Sequence, residues 1–266
     1  MTLSCIQQPH QDLQAKLENG VLTLAINRPK AKNAIYGELY LWIAKALDEA
    51  DQDSTVRVVI LRGLENDFTA GNDMQDFLAS AQQPTAAKAG DNPPFVLLKS
   101  AAQFSKPLIA AVRGVAIGIG VTILLHVDMV FADDTALFQI PFVTLGLSPE
   151  GAASKLLIQQ AGYHKAAELL FTAQKFNAEK ALNAGLVNEI VADVYAHADA
   201  QANYLAQLPS ASLKQTKALM KHNLDEIIEC IDHEAEVFMK RVRSPEMAEA
   251  VQAFLQKRKP DFAQFS

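Results

Sequence analysis

"PLIAAVRGVAIGIGVTILL", Pro107 to Leu125, joins a strand-like run to a glycine-rich turn and a second apolar run. The first part, Pro107–Gly114, is apolar and carries β-branched residues, which is typical of a strand buried on both faces. The glycines that follow let the backbone turn sharply, and the apolar run after them predicts the start of a helix. A strand that passes through a glycine turn into a helix indicates an α/β fold.

The same alternation continues on both sides of this stretch. Leu13–Leu17 and Val21–Ile26 alternate apolar and polar residues around Asn19-Gly20, which predicts a β-hairpin. "VRVVILRG", Val56–Gly63, predicts another buried strand. Residues 76–94 are poor in large apolar side chains, which is consistent with a surface loop, a frayed helix or a disordered segment. Helical periodicity predicts helices at Tyr36–Ala50, Val96–Phe104, Ala178–Ala184, Ala196–Leu208 and Leu224–Val242.

Composition excludes several classes of protein. The 24 basic and 30 acidic residues give a net charge of −6 without charged blocks, so neither nucleic acid nor a membrane surface is an expected partner. The two cysteines have no metal-ligand or redox spacing, which fits a reducing compartment. No signal peptide and no apolar run of membrane-spanning length is present. We therefore expect a cytoplasmic protein without disulfides.

Two glycine-containing segments are the first candidates for chemistry. Asp67–Phe77 and Gly114–Leu125 each follow a predicted strand and lead into a predicted helix. A helix start leaves main-chain N–H groups unpaired, so two such starts could hold one oxygen atom between them as an oxyanion hole. Neither segment has the spacing of a nucleotide-binding fingerprint. The histidines show no metal-ligand spacing and Ser148 has no nucleophile elbow, so no metal site and no catalytic triad is expected.

Glu150, in "LGLSPEG" (Leu145–Gly151), has two readings. In the first, Ser148 caps a helix, Pro149 is its first residue, and an acid in the first turn complements the helix dipole. In the second, Glu150 is a catalytic base. Its immediate neighbours alone favour the structural role.

Four segments in order resemble the crotonase, or enoyl-CoA hydratase/isomerase, superfamily. They are "INRPKAKNAI", "FTAGND", the run from Lys106 to Gly151, and "FNAEKALNAGLVNEIV", and together they extend from about Val21 to Val191. The resemblance implies a spiral of β-β-α turns followed by a helical C-terminal trimerisation region, with assembly as a trimer or a dimer of trimers. It also implies residues 1–195 as the core with the acyl-CoA site and residues 196–266 as the helical region.

The resemblance assigns roles to particular residues. The main-chain N–H groups of Asn72 and Ile119 correspond to the oxyanion donors, and Glu150 corresponds to the glutamate of isomerases with a Ser-Pro-Glu-Gly motif. The two glutamates of the family's hydratases correspond to Thr122 and Phe142, neither of which can act as an acid or base. The implied acyl-CoA-binding residues are Lys30, Lys32, Ala70, Gly71, Asn72, Asp73, Met74, Gly118 and Gly120.

Some of these assignments have structural alternatives. Lys30 and Lys32 either approach the phosphates of the ligand or lie in an ordinary solvated turn. Phe254 and Lys257 either meet the nucleotide part of coenzyme A bound to a neighbouring subunit or simply end a helix. His126 is expected to be a packing residue.

The implied function is isomerisation of 3-enoyl-CoA to trans-2-enoyl-CoA, an activity of fatty acid metabolism and β-oxidation. A single carboxylate suffices, because one proton leaves C2 and returns at C4. The alternatives are a hydratase-like enzyme and a non-catalytic acyl-CoA-binding module. Coenzyme A is part of the substrate, so no separate cofactor is expected.

Overall fold

The computed structural model describes residues 3–81 and 88–265. The strands are β1 (Leu13–Glu18), β2 (Val21–Ile26), β3 (Val58–Gly63), β4 (Leu108–Val112), β5 (Val115–Ile117), β6 (Met129–Ala132), β7 (Leu137–Gln139), β8 (Phe176–Asn177) and β9 (Glu189–Ile190). The helices are α1 (Ser4–Gln7), α2 (Gly37–Gln52), α3 (Met74–Ala81), α4 (Pro93–Gln103), α5 (Ile119–Thr122), α6 (Ala153–Ala161), α7 (Tyr163–Thr172), α8 (Ala178–Asn183), α9 (Val194–Gln207), α10 (Ser210–Met220), α11 (Leu224–Val242) and α12 (Pro245–Leu255). The predicted α/β class is confirmed.

The larger sheet has the strand order β1-β2-β3-β4-β6-β9. The predicted hairpin is present: β1 and β2 are antiparallel, and Asn19 and Gly20 both have positive φ, at 50° and 81°. From β2 onward the neighbouring strands are parallel. Strands β3 and β4 are almost completely buried, as their continuous apolar sequences predict.

A second sheet, β5-β7-β8, begins directly after the first glycine of the glycine-rich turn. Strand β4 ends at Val112 in the large sheet, and β5 starts at Val115 in the small one. Gly114 makes this change of sheet possible: its φ is 59°, and a Cβ atom there would lie 1.9 Å from the Asn66 carbonyl oxygen. The change of sheet brings the glycine-rich turn beside the segment that follows β3.

Helices cover the large sheet on both faces. Helices α2 and α4 pack against each other within the main apolar core, and α9 packs on the other face through Val194, Ala198 and Ala202. The long helix α11 has the bounds that its sequence predicts and packs against α4. The division at residue 195 stays a prediction.

The segment 76–94 was expected to be a surface loop, a frayed helix or a disordered segment; its first residues, up to 81, belong to helix α3, and residues 82–87 lie outside the described residues. The region around Glu150 departs from the expectation. Helix α6 begins at Ala153, so the expected helix start at Ser148–Glu150 is wrong. Gly151 and Ala152 have φ values of 75° and 57°, and a right-handed helix cannot include this left-handed pair.

Candidate active site

The two glycine-containing segments lie side by side. The N–H of Thr69 donates to the Val115 carbonyl (2.9 Å), and the N–H of Ile117 donates to the Thr69 carbonyl (3.0 Å). Gly71 has a φ of 83°, and a Cβ atom there would lie 2.4 Å from the Ile117 carbonyl oxygen. A Cβ atom at Gly120 would lie similarly close to the Thr69 side chain. Glycine is therefore needed in both segments for the contact that joins them.

Each segment presents an unpaired main-chain N–H group. Within residues 3–81 and 88–265, the N–H groups of Asn72 and Ile119 donate no hydrogen bond. Ile119 is the first residue of α5 and follows Gly118, whose φ is 58°. The Asn72 side chain accepts a hydrogen bond from the Tyr40 hydroxyl (2.6 Å), which fixes the residue in place. Two unpaired donors in adjacent turns are suited to stabilise negative charge on a carbonyl oxygen.

Glu150 is a buried carboxyl group in the irregular segment before α6. It is 3% exposed, and its Oε1 accepts a hydrogen bond from the Thr122 hydroxyl (2.5 Å). Its Oε2 has no hydrogen-bond partner among the described residues. Burial raises the pKa of Glu150 to about 8; the Thr122 hydrogen bond acts to lower it, and the charge of Glu234 acts to raise it. A carboxyl group with a free oxygen and a pKa near neutrality can both accept and return a proton.

The residue expected to cap a helix here does not do so. Ser148 precedes α6 by several residues, and its hydroxyl is buried without a hydrogen-bond partner among the described residues. The cap of α6 is Ala152, which has no side-chain acceptor. The dipole argument for Glu150 as a first-turn residue consequently fails.

Thr122 and Phe142 occupy the positions where the resemblance places the hydratase glutamates. Thr122 is fully buried and serves as the hydrogen-bond donor to Glu150. Phe142 is 5% exposed and packs edge-on against Phe238 of α11, with ring centroids 6.1 Å apart. Phe238 also contacts Phe77 and Phe95. The surroundings of Phe142 are thus apolar and aromatic.

Asp73 lies next to the first donor but is engaged elsewhere. Its Oδ2 accepts two hydrogen bonds from the Arg28 guanidinium, each 3.1 Å long, and its Oδ1 accepts the N–H groups of Gln75 and Asp76 at the start of α3. Burial acts to raise the pKa of Asp73, but these hydrogen bonds outweigh it, and the pKa is lowered. Asp73 is a weaker base than Glu150 for this reason.

The other predicted ligand-binding residues border the two turns. Lys30 and Lys32 are exposed on a short 3-10 turn, and among the described residues neither forms an ion pair. The Lys32 carbonyl accepts the N–H of Ala70 (2.9 Å), which attaches this turn to the first glycine segment. Met74 begins α3. These lysines are free to meet an anionic ligand.

The C-terminal candidates and the histidine have simpler surroundings. Phe254, at the end of α12, is 66% exposed, and Lys257 is also exposed. His126 is buried, as expected: its Nε2 lies 2.8 Å from the Gly151 carbonyl oxygen, and burial lowers its pKa to about 4. It supports the turn that follows Glu150.

Sequence analysis did not identify two residues that contact or influence this site. The Tyr40 hydroxyl donates a hydrogen bond to the Asn72 side chain. The charge of Glu234, on α11, acts to raise the pKa of Glu150. Both are polar residues within helices of strong apolar periodicity, and that interruption of the apolar face is the signal that could have drawn attention to them. Among the described residues, no cluster of three or more histidines, cysteines and acids could hold a metal ion. The same residues contain no helix that is long and apolar enough to cross a membrane.

The chain matches known proteins over most of its length. Residues 16–265 match the sequence model of the family "Enoyl-CoA hydratase/isomerase". A crystal structure from Acinetobacter baumannii, provisionally named an enoyl-CoA hydratase/isomerase, is 77% identical with a TM-score of 0.90, over 92% of this chain and 99% of that chain.

Two curated relatives differ in their named reactions. The 2,3-dehydroadipyl-CoA hydratase of Escherichia coli is 30% identical over 94% of this chain and 98% of its own length. Enoyl-CoA delta isomerase 2 of Rattus norvegicus is 34% identical over 91% of this chain, and the match spans 63% of that longer protein. The expected crotonase-type fold is confirmed by the solved structures. The chain belongs to the enoyl-CoA hydratase/isomerase family and is an enzyme of that family.

Proposed function

We propose that the enzyme moves the double bond of 3-enoyl-CoA to give trans-2-enoyl-CoA. The observation that carries the proposal is the state of Glu150, a buried carboxyl group with one free oxygen and a pKa of about 8. Thr122 and Phe142, at the positions of the hydratase glutamates, supply no second carboxylate. Isomerisation needs only one such group, since the proton that leaves C2 returns at C4.

The proposed reaction has two steps. The thioester carbonyl oxygen accepts hydrogen bonds from the N–H groups of Asn72 and Ile119, and the Glu150 carboxylate removes a proton from C2. The electron pair of the C–H bond enters a dienolate whose negative charge lies on the thioester oxygen. Protonation of C4 by the Glu150 carboxylic acid then places the double bond between C2 and C3 and restores the carboxylate. Coenzyme A is the handle of the substrate and is unchanged.

A hydratase reaction is the second candidate, favoured by the similarity to the E. coli hydratase. Hydration needs one group that activates water and proton delivery to the neighbouring carbon, a task for which two carboxylates are suited. Phe142 is buried and packs edge-on against the ring of Phe238 instead. This surrounding favours the isomerase over the hydratase.

The two candidates are separated by one assay with two substrates. Purified enzyme is given 3-enoyl-CoA and trans-2-enoyl-CoA side by side, and the conjugated thioester is followed by its absorbance. The isomerase proposal expects the conjugated product from the first substrate and little loss of conjugation from the second. Rapid hydration of the second substrate with no conversion of the first would refute it, and activity on neither would support a binding module.

The oligomeric state and the cytoplasmic location of the enzyme stay predictions. We propose a homotrimer or a dimer of trimers, with the helical region 196–266 at the subunit contacts and Phe254 or Lys257 near the coenzyme A of a neighbour. Their exposure in the single chain is consistent with such a contact. Sedimentation at working concentrations tests the assembly, and a monomer would contradict it.

A further inference from the structure

Tyr40 is a buried tyrosine of α2 that no step of the proposed reaction uses. It is 1% exposed, and its hydroxyl donates a hydrogen bond of 2.6 Å to Oδ1 of Asn72. Burial raises the pKa of Tyr40 well above its usual value, so the hydroxyl keeps the proton that it donates. Asn72 carries one of the two main-chain N–H groups that are unpaired among the described residues. The hydrogen bond therefore joins a buried helix directly to a donor of the candidate site.

The main chain on both sides of Asn72 is paired with Ile35. The N–H of Ile35 donates to the Gly71 carbonyl, and the N–H of Asp73 donates to the Ile35 carbonyl, each at 2.8 Å. In this parallel bridge the pairing groups belong to residues 71 and 73, so the N–H of the residue between them points away from Ile35. The bridge thus leaves the Asn72 N–H available for a ligand.

These two main-chain hydrogen bonds alone do not fix the direction of the Asn72 N–H. Because both of them end on Ile35, the segment can still tilt about the line that joins them. The Tyr40 hydrogen bond acts through the Asn72 side chain, off this line, and opposes the tilt. The Asn72 side chain is only half-buried, so packing contributes less to holding it. Tyr40 is the hydrogen-bond partner that the described residues give to this side chain.

The direction of the donor matters more for the dienolate than for the bound substrate. A donor that is oriented before the reaction needs no reorganisation when negative charge develops on the thioester oxygen. A donor that can tilt still meets the neutral carbonyl but loses part of its interaction with the charged oxygen. Loss of the Tyr40 hydrogen bond should therefore reduce turnover more than substrate binding.

We propose that Tyr40 is a positioning residue of the active site: its hydroxyl holds the Asn72 side chain and thereby directs the Asn72 N–H at the thioester oxygen. The expected effect on turnover rests on the proposed function. The polarisation of a bound thioester carbonyl does not depend on isomerisation and can be measured alone.

The first measurement is the infrared band of butyryl-CoA, labelled with carbon-13 at its carbonyl carbon and bound to the full-length enzyme. Hydrogen bonds to a carbonyl oxygen lower its stretching frequency, so the wild-type band should lie below that of the free thioester. Tyr40→Phe should lose part of this shift. Asn72→Ala removes the acceptor but keeps the main-chain N–H, and it should lose a similar part. The control is Tyr195→Phe on α9, which removes a hydroxyl that donates to the Gly63 carbonyl (2.9 Å) and should keep the wild-type band.

The second measurement is turnover of 3-enoyl-CoA. In Tyr40→Phe we expect kcat to fall about tenfold with little change in KM, a smaller loss than the roughly hundredfold or more that follows removal of an oxyanion donor. The double variant Tyr40→Phe/Asn72→Ala should be no slower than the slower single variant, because both substitutions break the same hydrogen bond. Asn72→Ala also tests the role by itself if Tyr40→Phe does not fold.

Three results would overturn the proposal. One is a wild-type band at the position of the free thioester, or a band that neither Tyr40→Phe nor Asn72→Ala moves. Another is a lower melting temperature of Tyr40→Phe with kcat and the band intact, which indicates a purely structural role. The third is additive losses in the double variant, because Tyr40 would then act by a route other than the Asn72 side chain. The expected band pattern in an enzyme that does not isomerise 3-enoyl-CoA would support the positioning role and refute the proposed function.

Discussion

Replacement of Glu150 by glutamine should reduce turnover and at the same time make stability less dependent on pH. In the folded wild type the pKa of Glu150 is raised from 4.5 to about 8, so between these values the folded chain holds a proton that the unfolded chain has released. Stability from this group is therefore fully present below about pH 4.5 and is lost as pH rises toward 8. Between pH 5 and pH 7.5 the loss is about 3 kcal/mol at roughly 1.4 kcal/mol per pH unit.

Glu150→Gln has no such group, so its stability relative to the wild type should rise by about 3 kcal/mol from pH 5 to pH 7.5. The unfavourable packing of the amide cancels in this comparison, because it is the same at both pH values. Urea unfolding of the wild type, Glu150→Gln and Glu236→Gln at both pH values measures the effect. Glu236 is an exposed glutamate on α11, so the last variant is a control that should follow the wild type. Turnover of 3-enoyl-CoA should fall by at least about a hundredfold in Glu150→Gln. Equal pH dependence of stability in all three proteins, or nearly intact turnover, would refute the reasoning.

Three further outcomes are expected. Thr122→Val removes the donor that favours the ionised form of Glu150, so the midpoint of the pH–rate profile should move to higher pH, and a move to lower pH would contradict this. Asp73→Asn breaks the ion pair with Arg28 and should lower stability by about 1 kcal/mol or less while turnover falls by less than about tenfold; a larger fall would make Asp73 the better candidate base. Gly71→Ala should lower the melting temperature more than Gly118→Ala, because both glycines have positive φ but only at Gly71 would a Cβ meet a carbonyl oxygen; equal losses would argue against the close contact between the two turns.

Local sequence patterns predicted most of the core. The hairpin at Asn19-Gly20, the buried strand before Gly63 and the helix at Leu224–Val242 depend on turn chemistry and periodicity within a few residues. The glycine turns could also be predicted, because they have positive φ values that glycine adopts more readily than other residues.

The surroundings of Glu150 could not be predicted in the same way. The helix-start motif at Ser148 fails because Gly151 and Ala152 take left-handed conformations that tertiary contacts maintain. Ser154 and its acceptor Glu234 are 80 residues apart in sequence. Neither periodicity nor motif spacing reports a contact over that separation, whereas the burial that raises the pKa of Glu150 arises from such contacts.

The hydrogen bond from the Ser154 N–H, at the start of α6, to Glu234 of α11 also sets an order of events during synthesis. A ribosome that has finished Ser154 must add 80 more residues before the partner carboxylate exists. At a rate of about 5–20 residues per second this takes roughly 4 to 16 seconds. During this time both glycine turns are already synthesised, but the hydrogen bond between Ser154 and Glu234, close to Glu150, cannot yet form. The nascent enzyme should therefore hold the elements of its oxyanion hole well before it can fix its base.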